Sequence, residues 1–342
     1  MDSHSTYSVS RDASHTLMDQ PYLLQPRLPP QHRFAYIGIP HDAATSLGNP
    51  GARFAPASLR EALRGVFEWR LREGKLADID EGLIDLSAVE IADFGDVALS
   101  YHDTLKTVEE SYALVKRALD EGYTPLVCGG DHGITFPCVK ALHDSRPGPI
   151  GLIQVDAHND LMDFSDRQGR YSGSSGMRRS LELERLAGPN LVQIGLRGYA
   201  TVEQYQVGIE QSVRRISATK FARLGVEATV EQALRWAGEG TEAIYLTIDM
   251  DVVNPGEAPG AGWPEPGGLT AQQLIDFVRI VAPHVHALDI AELNPIYDSP
   301  ARATVILAAR LMLDFVTTRV RKAETSSTSD SGRSSQAEFS IL

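Results

Sequence analysis

The chain has 342 residues, of which 42% are hydrophobic, and a formal net charge of −13 at pH 7. This size and apolar content suffice for one large α/β domain. The negative charge argues against nucleic acid and anionic membranes as partners and mildly favours a cationic substrate. No apolar run reaches membrane-spanning length, and the polar start lacks a signal peptide's apolar core. Cys128 and Cys138 lie in or beside apolar segments, so we expect buried reduced thiols in a cytoplasmic protein.

The two ends of the chain differ in composition from its body. Residues 1–33 are polar and rich in proline, which predicts an irregular amino-terminal extension. Residues 323–342 are mostly Ser, Thr, Asp and Glu, which predicts a disordered tail. We therefore expect one folded domain over residues 34–322.

Within this body, eight apolar runs typical of buried strands alternate with helical patterns. The predicted strands are Phe34–Ile39, Val89–Phe94, Pro125–Cys128, Gly151–Val155, Leu191–Leu196, Val213–Ser217, Ala243–Ile248 and Val285–Ile290. The spacing of apolar residues predicts helices that begin near Pro56, that span Thr104–Glu121 with Asp103 as cap, and that span Thr270–Val281. Such alternation predicts a mainly parallel sheet covered by helices on both faces, with its ligand site outside the carboxyl ends of the strands.

Three of these predicted strands are followed at once by candidate metal ligands. Asp131 and His132 follow the third strand, the stretch Asp156–Asp160 follows the fourth, and Asp249 and Asp251 follow the seventh. Successive side chains of an extended strand alternate in direction, so ligands two residues apart point the same way. Carboxylates crowded at one end of a sheet repel strongly unless cations lie between them. The alternative is a scatter of helix caps and solvated turns, but the pattern favours two divalent ions and hence a metalloenzyme.

Four segments in this order resemble the ureohydrolase family, which comprises arginases, agmatinases and formimidoylglutamases. They are Gly129–His132, Asp156–Asp160, Asp249–Pro255 and Asp289–Pro295, and Gly51–Pro56 and Ala258–Leu269 match as well. The resemblance implies a three-layer αβα sandwich around an eight-stranded, mainly parallel sheet, with residues 34–322 as the catalytic domain. It also implies a trimer or hexamer that splits a guanidino C–N bond to give urea and ammonia or an amine.

Carried over by position, the resemblance assigns six metal ligands and two catalytic residues. One ion would be held by His132, Asp156, Asp160 and Asp249, and the other by Asp156, His158, Asp249 and Asp251, so that Asp156 and Asp249 bridge. In the family, a water activated by both ions attacks the guanidinium carbon. Asp160 matches the residue that passes a proton to the leaving nitrogen, and Glu292 matches the acid that pairs with the substrate guanidinium. For Glu292, pairing with a nearby arginine is the alternative. Asp131 is expected to support the ligands and not to bind metal.

Two departures from typical agmatinases concern the substrate. Gly173 stands near the place of the family's proton-shuttling histidine, and Trp263 stands where agmatinases carry a small Thr. These features resemble the branch that contains guanidine hydrolases and metformin hydrolase-like enzymes. Trp263 is expected to fill the space of a long aminoalkyl chain, although packing as a loop anchor is its alternative. Ser174 and His41 are further candidates for substrate contact, and for His41 a place in a turn is equally compatible.

The resemblance to this branch implies a hydrolase with two divalent metal ions, Ni²⁺ favoured and Mn²⁺ as the alternative, that acts on a small cationic guanidine or biguanide. Guanidine, dimethylguanidine and metformin-like compounds are the expected substrates. An agmatinase or guanidinobutyrase-like enzyme with a longer substrate is one alternative. A non-catalytic partner subunit of an active paralogue is another, because the shuttle histidine is missing.

Overall fold

A computed structural model of the chain describes residues 22–43, 49–100 and 102–333. The predictions made for residues 1–21 and 334–342 lie outside the described residues. Within the described part, no helix combines the length and apolar character needed to cross a membrane. Cys128 and Cys138 are both buried and free, as predicted.

The centre of the fold is a nine-stranded sheet with the order β1-β5-β2-β6-β11-β10-β7-β8-β9. All neighbouring strands are parallel except β1, which pairs antiparallel with β5. A separate antiparallel ribbon is formed by β3 and β4. The strands are β1 Tyr22–Leu24, β2 His32–Ile39, β3 Lys75–Asp78, β4 Gly82–Asp85, β5 Val89–Asp96, β6 Thr124–Gly129, β7 Ile150–Val155, β8 Leu191–Ile194, β9 Arg214–Ile216, β10 Ala243–Asp249 and β11 Ala287–Ala291.

The sheet contains all eight predicted strands and one more. This ninth strand lies in the amino-terminal extension, which was predicted to be irregular. Residues Tyr22–Leu24 lie in the proline-rich extension and form the ninth strand along the edge of β5. Leu23 and Leu24 are buried there, and their burial stabilises this short strand. Three residues in a proline-rich segment are too few to be recognised as a strand from the sequence.

Helices cover both faces of the sheet, which gives the three predicted layers. They are α1 Ala55–Arg70, α2 Thr104–Asp120, α3 Thr135–Asp144, α4 Gly176–Ser180, α5 Val202–Glu210, α6 Ala218–Leu224, α7 Val226–Ala237, α8 Ala271–Val281 and α9 Ala303–Arg333. Alternate residues of β2 enter two separate apolar clusters, with Tyr36 packing toward α1 and α9 and Ile37 toward α2 and α3. This alternation is what a strand buried on both faces requires.

The helix ends follow the predicted signals at the start of α2 and α8 but not at the end of α9. Asp103 accepts a hydrogen bond from the Lys106 N–H at 3.1 Å, and Thr270 caps α8 in the same way. The prediction of a disordered tail from residue 323 is wrong for residues 323–333, because α9 continues to Arg333. Helix α9 begins with deeply buried residues such as Leu311 and Phe315, and a helix nucleated by packing propagates into polar sequence.

We expect the ion pairs of the buried Arg60 guanidinium to be the main electrostatic interaction between α1 and β5. It donates to Asp93 at 2.8 Å and to Asp96 at 2.8 Å and lies over the Tyr36 ring. Changing Arg60 to Met leaves the buried Asp93 carboxylate with only the longer ion-pair contact from Arg64 at 3.4 Å, so the free energy of unfolding should fall by about 3–5 kcal/mol. Urea unfolding measures this loss. Lys116→Met, which removes an exposed pair with Asp120, is the control and should change stability by no more than about 0.5 kcal/mol. Equal losses in the two variants would contradict the assignment.

Candidate metal centre and active site

The six predicted ligands and Glu292 come together because they follow neighbouring strands. Strands β6, β11, β10 and β7 are adjacent in the sheet and all run in the same direction. His132 follows β6, Glu292 follows β11, Asp249 ends β10 and Asp156 follows β7. The side chains that follow these four strands therefore lie together at the carboxyl ends of the strands, as the strand pattern predicted.

The first group of candidate ligands surrounds the Nδ1 atom of His132. This atom lies 2.9 Å from Asp156 Oδ2, 2.8 Å from Asp160 Oδ2 and 3.2 Å from Asp249 Oδ2. All four side chains are buried. One imidazole nitrogen and three carboxylate oxygens around one point form a donor set for a divalent ion.

The second group shares Asp156 with the first. His158 Nδ1 lies 2.9 Å from Asp251 Oδ2 and 3.7 Å from Asp156 Oδ1. Candidate ligand atoms of Asp156, His158 and Asp251 all lie within 4.8 Å of one another, as do those of His132, Asp156 and Asp249. Asp249 is also tied to this group, since its Oδ1 accepts a hydrogen bond from the Asp251 N–H at 2.8 Å. Two overlapping clusters with a shared carboxylate can hold two neighbouring ions.

The crowding of carboxylates shifts the pKa of several groups in the site. Burial raises the pKa of Asp160 to about 7, and the Asp156 charge adds to this effect. Burial and the neighbouring Asp251 and Asp156 raise the pKa of Asp249 well above its usual value. Burial lowers the pKa of His158, but Asp251 outweighs it and the pKa is raised to about 10. Positive charge must therefore enter the site for these carboxylates to be ionised together.

The hydrogen bonds of His132 test whether the site suits a metal. Its Nε2 atom lies 2.8 Å from the hydroxyl of Thr247, and that hydroxyl donates to Asp289 at 2.6 Å. Because the hydroxyl proton is used in this way, the Thr247 oxygen accepts a hydrogen bond from the protonated Nε2 of His132. The buried Nδ1 atom has no hydrogen bond of good geometry and faces carboxylates. Without a cation, burial lowers the pKa of His132, but the adjacent carboxylates of Asp156 and Asp160 outweigh burial and raise it well above its usual value. A divalent ion replaces the Nδ1 proton, so the arrangement fits a metal.

Two buried glutamines support the carboxylates of the first group by hydrogen bonds, and neither glutamine was predicted from the sequence. Gln154 of β7 donates from Nε2 to Asp156 Oδ2 at 2.6 Å and reaches Asp160 Oδ2 at 3.4 Å. Gln193 of β8 donates to Gln154 Oε1 at 2.6 Å and so fixes the orientation of that amide. Each is a single amide inside an otherwise apolar strand, and this pattern could have identified them. Burying an amide without a hydrogen-bond partner costs free energy, so such a residue is expected to have a polar partner.

Asp160 and Glu292 both have a left-handed backbone, with φ of 48° and 56°. Such values cost about 1–2 kcal/mol for residues other than glycine, so the surrounding contacts must hold them. Glu292 Oε1 accepts the His132 N–H at 3.0 Å, and the Glu292 N–H donates to the Gly130 carbonyl at 2.8 Å. Burial, followed by Asp131 and Asp251, raises the pKa of Glu292 well above its usual value.

The remaining predicted residues differ in their relation to the site. Asp131 Oδ1 accepts the Gly133 N–H at 3.0 Å and so caps the short turn that carries His132, as expected of a supporting residue. Gly173 is packed so closely that a Cβ atom there would lie 3.2 Å from Glu292 Oε1. A histidine at this position would require Glu292 to move.

A cavity of about 570 Å³ opens above the carboxylates, and Ser174 and Trp263 line it. Its size is within the range of sites for drug-sized ligands, and the Trp263 side chain is 38% exposed. Trp263 therefore forms part of the wall of a larger cavity, and its expected role in restricting the substrate to a small guanidine stays a prediction. His41 is not among the described residues that line this cavity. It is buried beside Asp131 and lines a smaller cavity with Thr107 and Tyr171, so the expected substrate contact from His41 is not supported.

Comparisons with known proteins agree with this geometry. The arginase family model matches residues 32–317. The chain is 32% identical over 294 residues to the mitochondrial guanidino acid hydrolase of Homo sapiens, covering 82% of this chain and 77% of that protein. It is 32% identical over 304 residues to the guanidinobutyrase of Pseudomonas aeruginosa, covering 88% and 91%. The structure of proclavaminate amidinohydrolase from Streptomyces clavuligerus superposes with a TM-score of 0.74 at 27% identity, covering 90% and 99%. The chain therefore belongs to the arginase family of metal-dependent amidinohydrolases.

Proposed function

We propose that two divalent ions bind in the predicted arrangement and that the enzyme splits a C–N bond of a guanidino compound. His132, Asp156, Asp160 and Asp249 would hold one ion, and Asp156, His158, Asp249 and Asp251 the other. The single observation that carries this proposal is the convergence of three carboxylates on the Nδ1 atom of His132. Imidazole and carboxylate ligands accept nickel and manganese alike. Nickel is our first choice and manganese the second, because the Trp263 loop and the missing histidine resemble a branch of the family that tends to use nickel.

When bound, the two ions supply Lewis acidity and lower the pKa of a water nucleophile. The residues of this chain then position the substrate and move the proton. Glu292 lines the cavity and would pair its carboxylate with the guanidinium, which turns the central carbon toward the ions. Asp160 would carry the proton from the water to the leaving nitrogen, and the products are urea and ammonia or an amine.

We propose a small guanidine or biguanide as substrate, with guanidine, dimethylguanidine and metformin-like compounds as the candidates. Two features of the wall support this choice. Trp263 offers a broad apolar surface against which small alkyl groups can pack. Gly173 stands near the place where typical agmatinases carry the shuttle histidine, so this position supplies no imidazole for arginase-like proton shuttling.

A longer acidic substrate is the second candidate, and a separate observation favours it. Arg215 and Lys220 line the same cavity as the metal ligands, and Arg215 lies over the Tyr205 ring. A guanidino acid with its cationic end at Glu292 could direct its carboxylate toward these cations. The guanidinobutyrase and guanidino acid hydrolase relatives are named for such substrates. Urea release from guanidine, dimethylguanidines, metformin, agmatine and 4-guanidinobutyrate separates the two candidates.

The purified chain, supplied with nickel or manganese, also separates an enzyme from a non-catalytic partner subunit. Urea release by the chain alone excludes the partner role, and activity only with a paralogue present would support it. We retain a trimer or hexamer and a cytoplasmic location as parts of the proposal, and the two free buried thiols suit a reducing compartment.

Asp249→Ala tests the bridging assignment. If Asp249 binds both ions, this variant should lose activity and both metals together, whereas Asp251→Ala should mainly deplete one ion. Elemental analysis of the purified proteins measures occupancy, and circular dichroism checks that both variants are folded. Full metal content in Asp249→Ala would contradict the assignment.

Glu292→Gln tests the substrate anchor. The amide keeps the shape of the side chain but removes the negative charge that pairs with the guanidinium. The activation free energy should therefore rise by about 2–3 kcal/mol, which lowers the turnover rate by about two decades. Metal content should stay near that of the unaltered enzyme. Steady-state kinetics with elemental analysis gives both values, and unchanged kinetics would show that another residue holds the substrate.

Trp263→Thr tests the proposed preference for a small substrate. Guanidine and dimethylguanidines would lose a packing wall worth roughly 1–3 kcal/mol, so their kcat/KM should fall. Agmatine and 4-guanidinobutyrate should be unaffected or improved, because a steric obstacle is removed. The measured quantity is the ratio of kcat/KM values for short and long substrates. An unaltered enzyme that already prefers a long substrate, or an unchanged ratio in the variant, would rule out the small-substrate proposal.

A further inference from the structure

Arg197 lies just beyond β8 and contacts both segments that supply the second group of ligands. Its backbone N–H donates to the carbonyl of Ala157, between two predicted ligands, at 3.0 Å. Its guanidinium donates to the carbonyls of Asp251 at 2.6 Å and Val252 at 3.1 Å. One residue therefore holds the main chain on two sides of the metal site, with its backbone N–H on one side and its guanidinium on the other.

The same guanidinium also holds the loop that carries Trp263. It donates to the carbonyls of Glu265 at 2.8 Å and Pro266 at 3.1 Å. Arg197 borders the cavity, yet its donors are engaged by main-chain oxygens and not directed at a substrate. The side chain thus links the ligand segment around Asp251 to the wall around Trp263.

Gly268 provides the space that this guanidinium occupies. Its backbone has φ of 111°, and a Cβ atom there would lie 2.9 Å from Arg197 Cζ and 2.5 Å from the Val252 carbonyl oxygen. A side chain at position 268 would therefore displace the link without removing its charge. This gives a second, independent way to break the same contacts.

We propose that Arg197 is a positioning residue that couples the metal-ligand segment Asp249–Val253 to the Trp263 loop. A planar fork that donates in several directions at once is required, and a lysine ammonium cannot reproduce it. The ligand Asp251 and the substrate wall then keep a fixed separation. The proposal deepens the proposed function, because it gives the small-substrate wall its anchor.

The test follows Trp263 directly. The chain has three tryptophans, so Trp69→Phe and Trp236→Phe leave Trp263 as the only indole reporter. In this background, Arg197→Lys and Gly268→Ala should each raise the acrylamide quenching constant of Trp263. After chelation and readdition of Mn²⁺ or Ni²⁺, each variant should bind metal more weakly, by about tenfold, as measured by titration with a competing chelator.

Arg185→Gln is the matched control, because this arginine also donates to a main-chain carbonyl, that of His143 at 2.8 Å. It is not among the described residues that line the cavity. We expect it to change neither Trp263 quenching nor metal affinity. Thermal melting identifies a variant that fails to fold, and the other variant then carries the test.

Unaltered quenching and metal affinity in a folded Arg197→Lys or Gly268→Ala variant would overturn the proposal. Equal changes in Arg185→Gln would also overturn it, since they would indicate general loosening. Neither readout uses a substrate. An enzyme that prefers a long guanidino acid would therefore refute the proposed substrate while leaving the coupling by Arg197 intact.

Discussion

The structure depends on one electrostatic constraint, which is the burial of five carboxylates at one edge of the sheet. Asp156, Asp160, Asp249, Asp251 and Glu292 all lie within the same buried site. Burial and mutual repulsion raise the pKa of several of them, so the site cannot be fully ionised without added positive charge. The two imidazoles supply that charge only while they are protonated. Divalent ions supply more of it and release the imidazole nitrogens as ligands.

Neutral donors complete this arrangement without adding charge. The amides of Gln154 and Gln193 form a directed chain toward Asp156, and an amide donates at any ordinary pH. On the other side, Thr247 and Asp289 fix the proton of His132 on Nε2. The strands that carry these residues are buried on both faces, so the supporting hydrogen bonds are formed before any ion or substrate arrives. The amide and hydroxyl donors of Gln154, Gln193 and Thr247 therefore orient the ligands before an ion binds.

Much of the fold and the site could be predicted from the sequence, because both depend on local patterns. Apolar runs followed at once by Asp and His locate the strand ends, and parallel pairing brings those ends together. The strand Tyr22–Leu24 could not be predicted, because its stability comes from pairing with a distant edge. The burial of His41 beside Asp131 depends on tertiary packing in the same way. Cavity volume is also set by all surrounding loops at once, so the identity of Trp263 alone could not predict it.

The same constraint links substrate recognition to proton balance. The Glu292 carboxyl is buried, and Asp131 and Asp251 raise its pKa further, so ionisation of this group is unfavourable in an empty site. A bound guanidinium favours the ionised form, because an opposite charge at short distance lowers the pKa of a carboxyl group. Entry of the cation and loss of a proton from Glu292 are therefore linked, and each makes the other more favourable. In the proposed reaction, a neutral urea product would no longer offer this stabilisation. The repulsion between the buried carboxylates would then favour binding of the cationic substrate over its neutral product.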